Sequence, residues 1–83
     1  MRNLKPEKIL RPTQYVEKIL VTAILDGTYA SGMVLPNERS LAEQMGVTRP
    51  TLRETLQRLA AEGWLTIHHG KPTVVNDYWQ EGG

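Results

Sequence analysis

The stretch GVTRPTLRETLQRLAAEGWLTIHHGKPTVVNDYW, residues 46–79, determines the fold that this sequence predicts. Thr48 is suited to cap a helix, and Pro50 falls in its first turn, where the missing N–H costs nothing because those donors have no helical partner. Gly63 is a natural stop for that helix. The apolar residues between cap and stop have the spacing of one buried helix face, and they are Leu52, Leu56, Leu59 and Ala60.

A β-hairpin is predicted directly after this helix. Residues 64–67 and 73–75 have the composition of two short strands. Gly70 lies in the polar segment between them and can adopt the positive φ of a tight turn. We expect Trp64, at the start of the first strand, to pack the hairpin against the helices.

A short helix is predicted over residues 38–45, immediately before the quoted stretch. Asn37 is its N-cap and Gly46 its stop. Upstream of it, an extended segment around Val34 is placed to add a third strand to the hairpin.

The first helix is predicted over residues 14–26, with Thr13 as its N-cap and Gly27 as its stop. Its apolar residues recur at i, i+3, i+4, i+7 and i+8, which is the stripe of an amphipathic helix. They are Val16, Ile19, Leu20, Ala23 and Ile24.

The order of these elements predicts the fold class, which is α+β and mainly α. Two helices joined by the tight turn at residues 46–48 form a helix-turn-helix. The hairpin after the second of them is the wing of a winged helix-turn-helix, with three helices and a small antiparallel β-hairpin. The expected organisation is an N-terminal arm over residues 1–12, the winged domain over 13–75, and a linker or truncated end over 76–83.

Composition excludes several classes of protein. The chain has 83 residues and a mass of 9.4 kDa, so we expect one domain, too small to enclose much of a ligand pocket. It has no Cys, which excludes disulfides and thiolate chemistry and fits a cytoplasmic protein. No apolar run approaches the roughly 20 residues of a membrane span, and no secretory signal opens the chain. We therefore expect no membrane partner.

The net charge of +1 conceals an uneven distribution. The first eleven residues hold four basic side chains against Glu7 alone, which suits either a solvated tail or an arm attracted to phosphate. Residues 38–62 hold four arginines against four glutamates. Arginine is the side chain suited to bidentate contact with guanine or phosphate. A nucleic-acid function therefore depends on where these arginines point.

The start of the third helix carries the strongest candidate site. In a helix-turn-helix, this end of the second helix meets base edges in the major groove. Arg49 and Arg53 lie one turn apart, and each can donate two hydrogen bonds to guanine. The alternative is that both arginines pair with Glu54 or Glu62 on a solvated face. The candidate DNA-binding residues of this helix start are Thr48, Arg49, Pro50, Thr51 and Arg53.

Arg39 and the wing turn are further candidates for contact with DNA. Arg39 lies in the first turn of the second helix and either faces the DNA backbone or pairs with Glu43. His69 and Gly70 are candidates for the minor groove and Lys71 for phosphate, and the alternative for all three is an exposed turn.

We expect no metal site, no cofactor and no catalytic activity. Adjacent residues of a strand point to opposite faces, so His68 and His69 do not form a metal site, and no third ligand is nearby. No Ser-His-Asp set, carboxylate pair or Gly-rich phosphate loop has useful spacing. The alternative to DNA binding is a winged-helix module that binds a protein, and the exposed arginines at the third helix argue against it.

Residues 46–79, together with LPNERSLAEQM at 35–45, resemble the N-terminal domain of the GntR family of transcription regulators. The GWLTI-x-HGKPT-x-V run is similar to that of FadR-like members, which regulate fatty acid metabolism. The resemblance implies a domain that binds a palindromic double-stranded operator as a homodimer, as repressor or activator. The positions that match the family's DNA contacts are Arg39, Thr48, Arg49, Thr51, Arg53, His69 and Gly70.

Two departures from the family pattern stand out. Ser40 replaces a Glu that would complete a capping box with Asn37. Pro50 replaces a Thr, which removes one hydroxyl contact. FadR-like regulators also carry a helical C-terminal domain that dimerises and binds long-chain acyl-CoA, and acyl-CoA binding releases the DNA. The resemblance therefore implies a DNA-binding domain whose effector, acyl-CoA or another small molecule, binds outside this chain. It favours a fragment of a longer regulator over a stand-alone domain. The alternative is a GntR regulator of another pathway.

Overall fold

A computed structural model describes residues 10–77 of the chain. Three helices are followed by a two-stranded antiparallel sheet, which confirms the predicted winged helix-turn-helix. The elements are α1 (Pro12–Leu25), α2 (Glu38–Met45), α3 (Arg49–Ala61), β1 (Leu65–Thr66) and β2 (Val74–Val75). Most of the predicted arm, residues 1–9, and most of the predicted linker, residues 78–83, lie outside the described residues.

Helix α1 begins earlier than its sequence pattern predicts. The predicted cap was Thr13, but the helix starts at Pro12 and its N-cap is Arg11. Proline is favoured at the first helical position because its fixed φ matches the helix and the N–H it lacks would have no partner there. Gln14 Oε1 accepts a hydrogen bond from the Arg11 backbone N–H at 2.9 Å, which satisfies a donor just before the helix. The predicted boundary between arm and domain, after residue 12, therefore falls inside α1.

The caps of α2 and α3 are those that the sequence predicts. Asn37 Oδ1 accepts a hydrogen bond from the Ser40 N–H at 2.8 Å, so half of the capping box survives although Ser40 replaces the glutamate. Thr48 Oγ1 accepts one from the Thr51 N–H at 3.2 Å. Between the two helices Gly46 has φ of 69°, a left-handed conformation that ends α2 and turns the chain into α3.

The wing is a hairpin with shorter strands than predicted. Leu65 pairs with Val75 and Thr66 with Val74. The ladder stops before Pro72, which has no N–H to donate. Val34 forms an isolated antiparallel bridge with Val74, so the predicted third strand is present as a single bridge.

One hydrophobic core joins all five elements. Helix α3 packs against α1, α2 and β1, which fixes its position between the other helices and the wing. Trp64 is partly buried and packs against the core, at the junction of α3 and the wing, in line with its expected role. The buried core residues are Val16, Leu20, Ile24, Leu35, Leu41, Ala42, Leu52, Leu56, Leu59, Leu65 and Val75.

Candidate nucleic-acid interface

The start of α3 presents polar and cationic side chains to solvent. Thr48 Oγ1 lies 3.0 Å from Thr51 Oγ1, so the two hydroxyls share a hydrogen bond across the first turn. Pro50 is exposed beside them. The side chains of Arg49 and Arg53 are 55% and 52% exposed. The apolar side of α3 is buried in the core. The side chains at the start of the helix are exposed, and they are therefore accessible to a binding partner.

Both arginines hydrogen-bond to one carboxylate on α2. Arg49 Nε donates to Glu38 Oε1 at 3.0 Å. Arg53 donates from Nε to Oε2 at 2.9 Å and from Nη2 to Oε1 at 2.8 Å, a bidentate contact. Their partner is thus Glu38, and neither Glu54 nor Glu62, the partners proposed in the alternative from sequence. The turn at Gly46 makes this possible because it brings the first turn of α2 alongside α3.

The arginines lower the pKa of Glu38 to about 2. The hydrogen bond from Arg53 is the largest cause, partial burial opposes it, and the hydrogen bond from Arg49 and the positive charge of both arginines add to it. Glu38 is therefore ionised at neutral pH. The cluster of Glu38, Arg49 and Arg53, hereafter the arginine cluster, carries a net charge of +1.

A groove of about 700 Å³ separates α3 from the wing. The arginine cluster lies along one side of it, and Gln57 extends that side toward the middle of α3. The wing side includes His68, Gly70 and Lys71. Leu56 and residues 34–37 also line the groove. An open, partly cationic groove beside a helix start has the character of a binding surface.

The tip of the wing is a tight turn with exposed side chains. The Lys71 N–H donates to the His68 carbonyl oxygen at 3.3 Å, and Gly70 has φ of 74°, which explains the glycine at this position. Lys71 and Gly70 line the groove, whereas His69 is exposed at the tip, outside the groove lining. The histidine that does line the groove is His68, which sequence reasoning did not select as a contact.

Comparison with known proteins places this arrangement in a family. Residues 12–75 match the family of bacterial regulatory proteins named gntR. The chain belongs to the GntR family. The fatty acid metabolism regulator protein of Shewanella halifaxensis is 54% identical to it over 72 residues, covering 87% of this GntR chain and 30% of that protein. The protein of the same name from an Enterobacter species is 51% identical over 76 residues, covering 92% and 32%.

Solved structures agree with the winged fold of this GntR domain. AraR(DBD) in complex with operator ORE1 superposes with a TM-score of 0.81 at 28% identity, covering 90% of this chain and 92% of that one. The complex of the same AraR domain with operator ORX1 gives a TM-score of 0.81 at 27% identity, with 90% of each chain covered. The resemblance to GntR regulators that the sequence shows is thus confirmed. The members of this family are transcription regulators and not enzymes.

Two other arginines of the GntR chain have different surroundings. Arg39 is exposed on the first turn of α2, beside Glu38, and among residues 10–77 it makes no salt bridge with Glu43. Arg58 lies far along α3, where Nη1 is 3.3 Å from Glu17 Oε1 on α1. Arg58 therefore links α3 to α1 at a position away from the groove.

Residues 10–77 contain no group of three His, Asp or Glu side chains that could hold a metal ion. Over the same residues, no helix combines the length and the apolar character that crossing a bilayer requires.

Proposed function

We propose that this GntR chain is the sequence-specific double-stranded DNA-binding domain of a bacterial transcription regulator. The observation that carries the proposal is the pair of half-exposed arginines, one turn apart, at the start of the second helix of a helix-turn-helix. That helix end is the one that meets base edges in this motif. Structural neighbours solved with operators, the AraR complexes, give independent support.

In this proposal the start of α3 enters the major groove. Arg49 and Arg53 donate to O6 and N7 of guanines, the commonest specific contact of arginine with DNA. Thr48 and Thr51 donate to phosphate or pack their methyl groups on thymine. Pro50 contributes apolar surface in place of a hydroxyl donor.

The flanking contacts come from α2 and the wing. Arg39, exposed beside the arginine cluster, binds the phosphate backbone. His69 and Gly70 at the wing tip approach the minor groove, and Lys71 contacts phosphate. The cleft between α3 and the wing then receives one strand of the duplex.

The whole protein is proposed to be a FadR-like regulator of fatty acid metabolism genes. The support is the name shared by relatives at 51% and 54% identity. The chain spans about 30% of the length of those relatives. We propose that the whole regulator acts in the cytoplasm, binds a palindromic operator as a homodimer, and responds to acyl-CoA bound outside residues 1–83.

Selection of bound duplexes from a random pool tests the function of this domain. We expect the recovered duplexes to share one motif, with G·C pairs at the positions that Arg49 and Arg53 contact. A duplex that carries the recovered motif is called the selected duplex. The affinity of the domain for it is expected to fall steeply as the salt concentration rises. Recovery of unrelated sequences after several rounds would refute the proposal of sequence-specific DNA binding.

The two wing positions are expected to differ in salt dependence. Lys71→Ala removes a phosphate contact and is expected to reduce the slope of log affinity against log salt by about 1. His69→Ala removes a groove contact and is expected to weaken binding with a smaller change in slope. Fluorescence anisotropy on the selected duplex, at four or five salt concentrations, measures both slopes. Equal slopes for the two variants would contradict the proposed division between groove and phosphate.

A further inference from the structure

The arginine cluster has a geometry that DNA binding alone does not require. Both oxygens of the Glu38 carboxylate are engaged, and the three donors come from two guanidinium groups. Arg49 donates to Glu38 from Nε, and Arg53 donates from Nε and Nη2. In Arg53 these two nitrogens form the side edge of the guanidinium group. Each arginine thus retains N–H groups on its terminal edge, where Nη1 and Nη2 can together reach guanine O6 and N7.

The carboxylate also changes how the cluster responds to phosphate. Two guanidinium groups without a counter-charge attract any polyanion, and this attraction is the source of binding that ignores sequence. Glu38 removes one of the two net charges and places a negative group beside the phosphates of a bound duplex. The hydrogen bonds available to base edges are not consumed, because the terminal edges remain available.

Holding the guanidinium groups in advance also favours the correct duplex. Arginine side chains have many rotamers, and ordering them on binding costs free energy. A carboxylate that is 23% exposed and ionised at neutral pH orders both arginines before DNA arrives. Only a duplex with acceptors in matching positions then gains the full set of hydrogen bonds.

We propose that Glu38 is a specificity-determining residue of this domain, because it positions Arg49 and Arg53 by their side edges and opposes binding that depends on charge alone. This inference rests on the proposed DNA-binding function. Glu38 acts through the arginines and is therefore a positioning residue. Its loss is expected to reduce discrimination between sequences more than it reduces affinity for DNA.

The test is Glu38→Gln, with affinities for the selected duplex and for a scrambled duplex of equal composition. Glutamine keeps the size of the side chain and loses its charge, so affinity for the scrambled duplex is expected to rise about fivefold, with a steeper salt dependence. The ratio of the two affinities is expected to fall by roughly tenfold, since the loss of one well-ordered arginine contact has an effect of this size. Thermal unfolding of each variant reports whether the fold is retained.

Glu17→Gln is the matched control. It makes the same change of charge at a glutamate paired with another arginine of α3, Arg58, away from the groove. The ratio of affinities is expected to stay within about twofold of wild type, because a remote surface charge alters both affinities alike. A loss of discrimination in this control as large as that in Glu38→Gln would overturn the inference.

A second variant, Glu38→Asp, separates positioning from charge and serves if Glu38→Gln does not fold. Aspartate keeps the charge but is one methylene too short to hold both arginines, so the salt slope is expected to resemble wild type while the affinity ratio falls. An unchanged ratio in Glu38→Gln shows that Glu38 does not set specificity, and an unchanged ratio in Glu38→Asp shows that it does not act by positioning the arginines. If wild type itself does not discriminate between duplexes, it is the proposed function that fails.

Discussion

Replacing Arg53 with alanine is expected to weaken binding to the selected duplex strongly while leaving the fold intact. The substitution removes up to two hydrogen bonds to a guanine, a loss of about 1–3 kcal/mol, or roughly 5- to 150-fold in affinity. It also leaves Glu38 without its bidentate partner, beside incoming phosphates, which adds repulsion. Arg49→Ala is expected to act in the same direction, with a smaller electrostatic part because Arg49 makes one hydrogen bond to Glu38.

Fluorescence anisotropy against selected and scrambled duplexes measures this effect, with circular dichroism to check the fold. Arg58→Ala is the matched control, since it removes the same side chain from the same helix at a site paired with Glu17. We expect its affinity to remain within about threefold of wild type, as for one outlying charge. If Arg53→Ala or Arg49→Ala binds the selected duplex as well as wild type, α3 does not read the DNA through its first turns.

Replacing Leu59 with alanine is expected to destabilise the domain severely. Leu59 is 0% exposed and lies in the core, on the helix that contacts α1, α2 and β1. Leucine-to-alanine substitutions in a core cost about 2–5 kcal/mol, because they remove buried apolar surface and leave a cavity. Small domains have only about 5–15 kcal/mol of stability, so this loss is a large fraction of the total.

Thermal unfolding provides the measurement. For a domain of this size we expect Leu59→Ala to lower Tm by at least about 8 °C. Leu25→Ala is the control, because Leu25 is 47% exposed at the end of α1, and its effect is expected to stay within about 0.5 kcal/mol. Similar Tm values for the two variants would contradict the prediction that the burial of Leu59 contributes strongly to the stability of the core.

The sequence predicted those features that depend on local chemistry. Asn37 and Thr48 cap their helices as expected, and Gly46 adopts the left-handed turn between them, because caps and stops depend on a few adjacent residues. The sequence pattern placed the start of α1 two residues too late, because the preference of threonine for the N-cap competes there with the preference of proline for the first helical position. Thr13 is a good N-cap, but Pro12 is a better first residue, and the structure follows the proline.

The partner of the arginines could not be predicted from local spacing. Glu54 and Glu62 lie on the same stretch of chain as Arg53, whereas Glu38 is fifteen residues from it, on another helix. The contact depends on how the turn at Gly46 sets α2 against α3, which is a tertiary property. A signal existed in hindsight: Glu38 opens a helix that a helix-turn-helix places against the start of the next one.

The wing shows a similar division. The hairpin and its turn follow from Gly70 and the flanking β-formers, and the strands proved shorter because Pro72 cannot extend the ladder. Which of two adjacent histidines lines the groove depends on how the turn between β1 and β2 is placed against α3. His68 lines it and His69 lies at the tip, a distinction outside the reach of sequence patterns.

The most direct measurement is the set of backbone amide shifts of the ¹⁵N-labelled domain during titration with the selected duplex. We expect the largest changes at Thr48, Arg49, Thr51 and Arg53 and at the wing tip, residues 69–71, because these positions form the proposed DNA-binding face. The outer face of α1, around Tyr15 and Ile19, is expected to change little. Large changes confined to α1, with the start of α3 unaffected, would contradict the central claim that α3 and the wing form the DNA-binding surface.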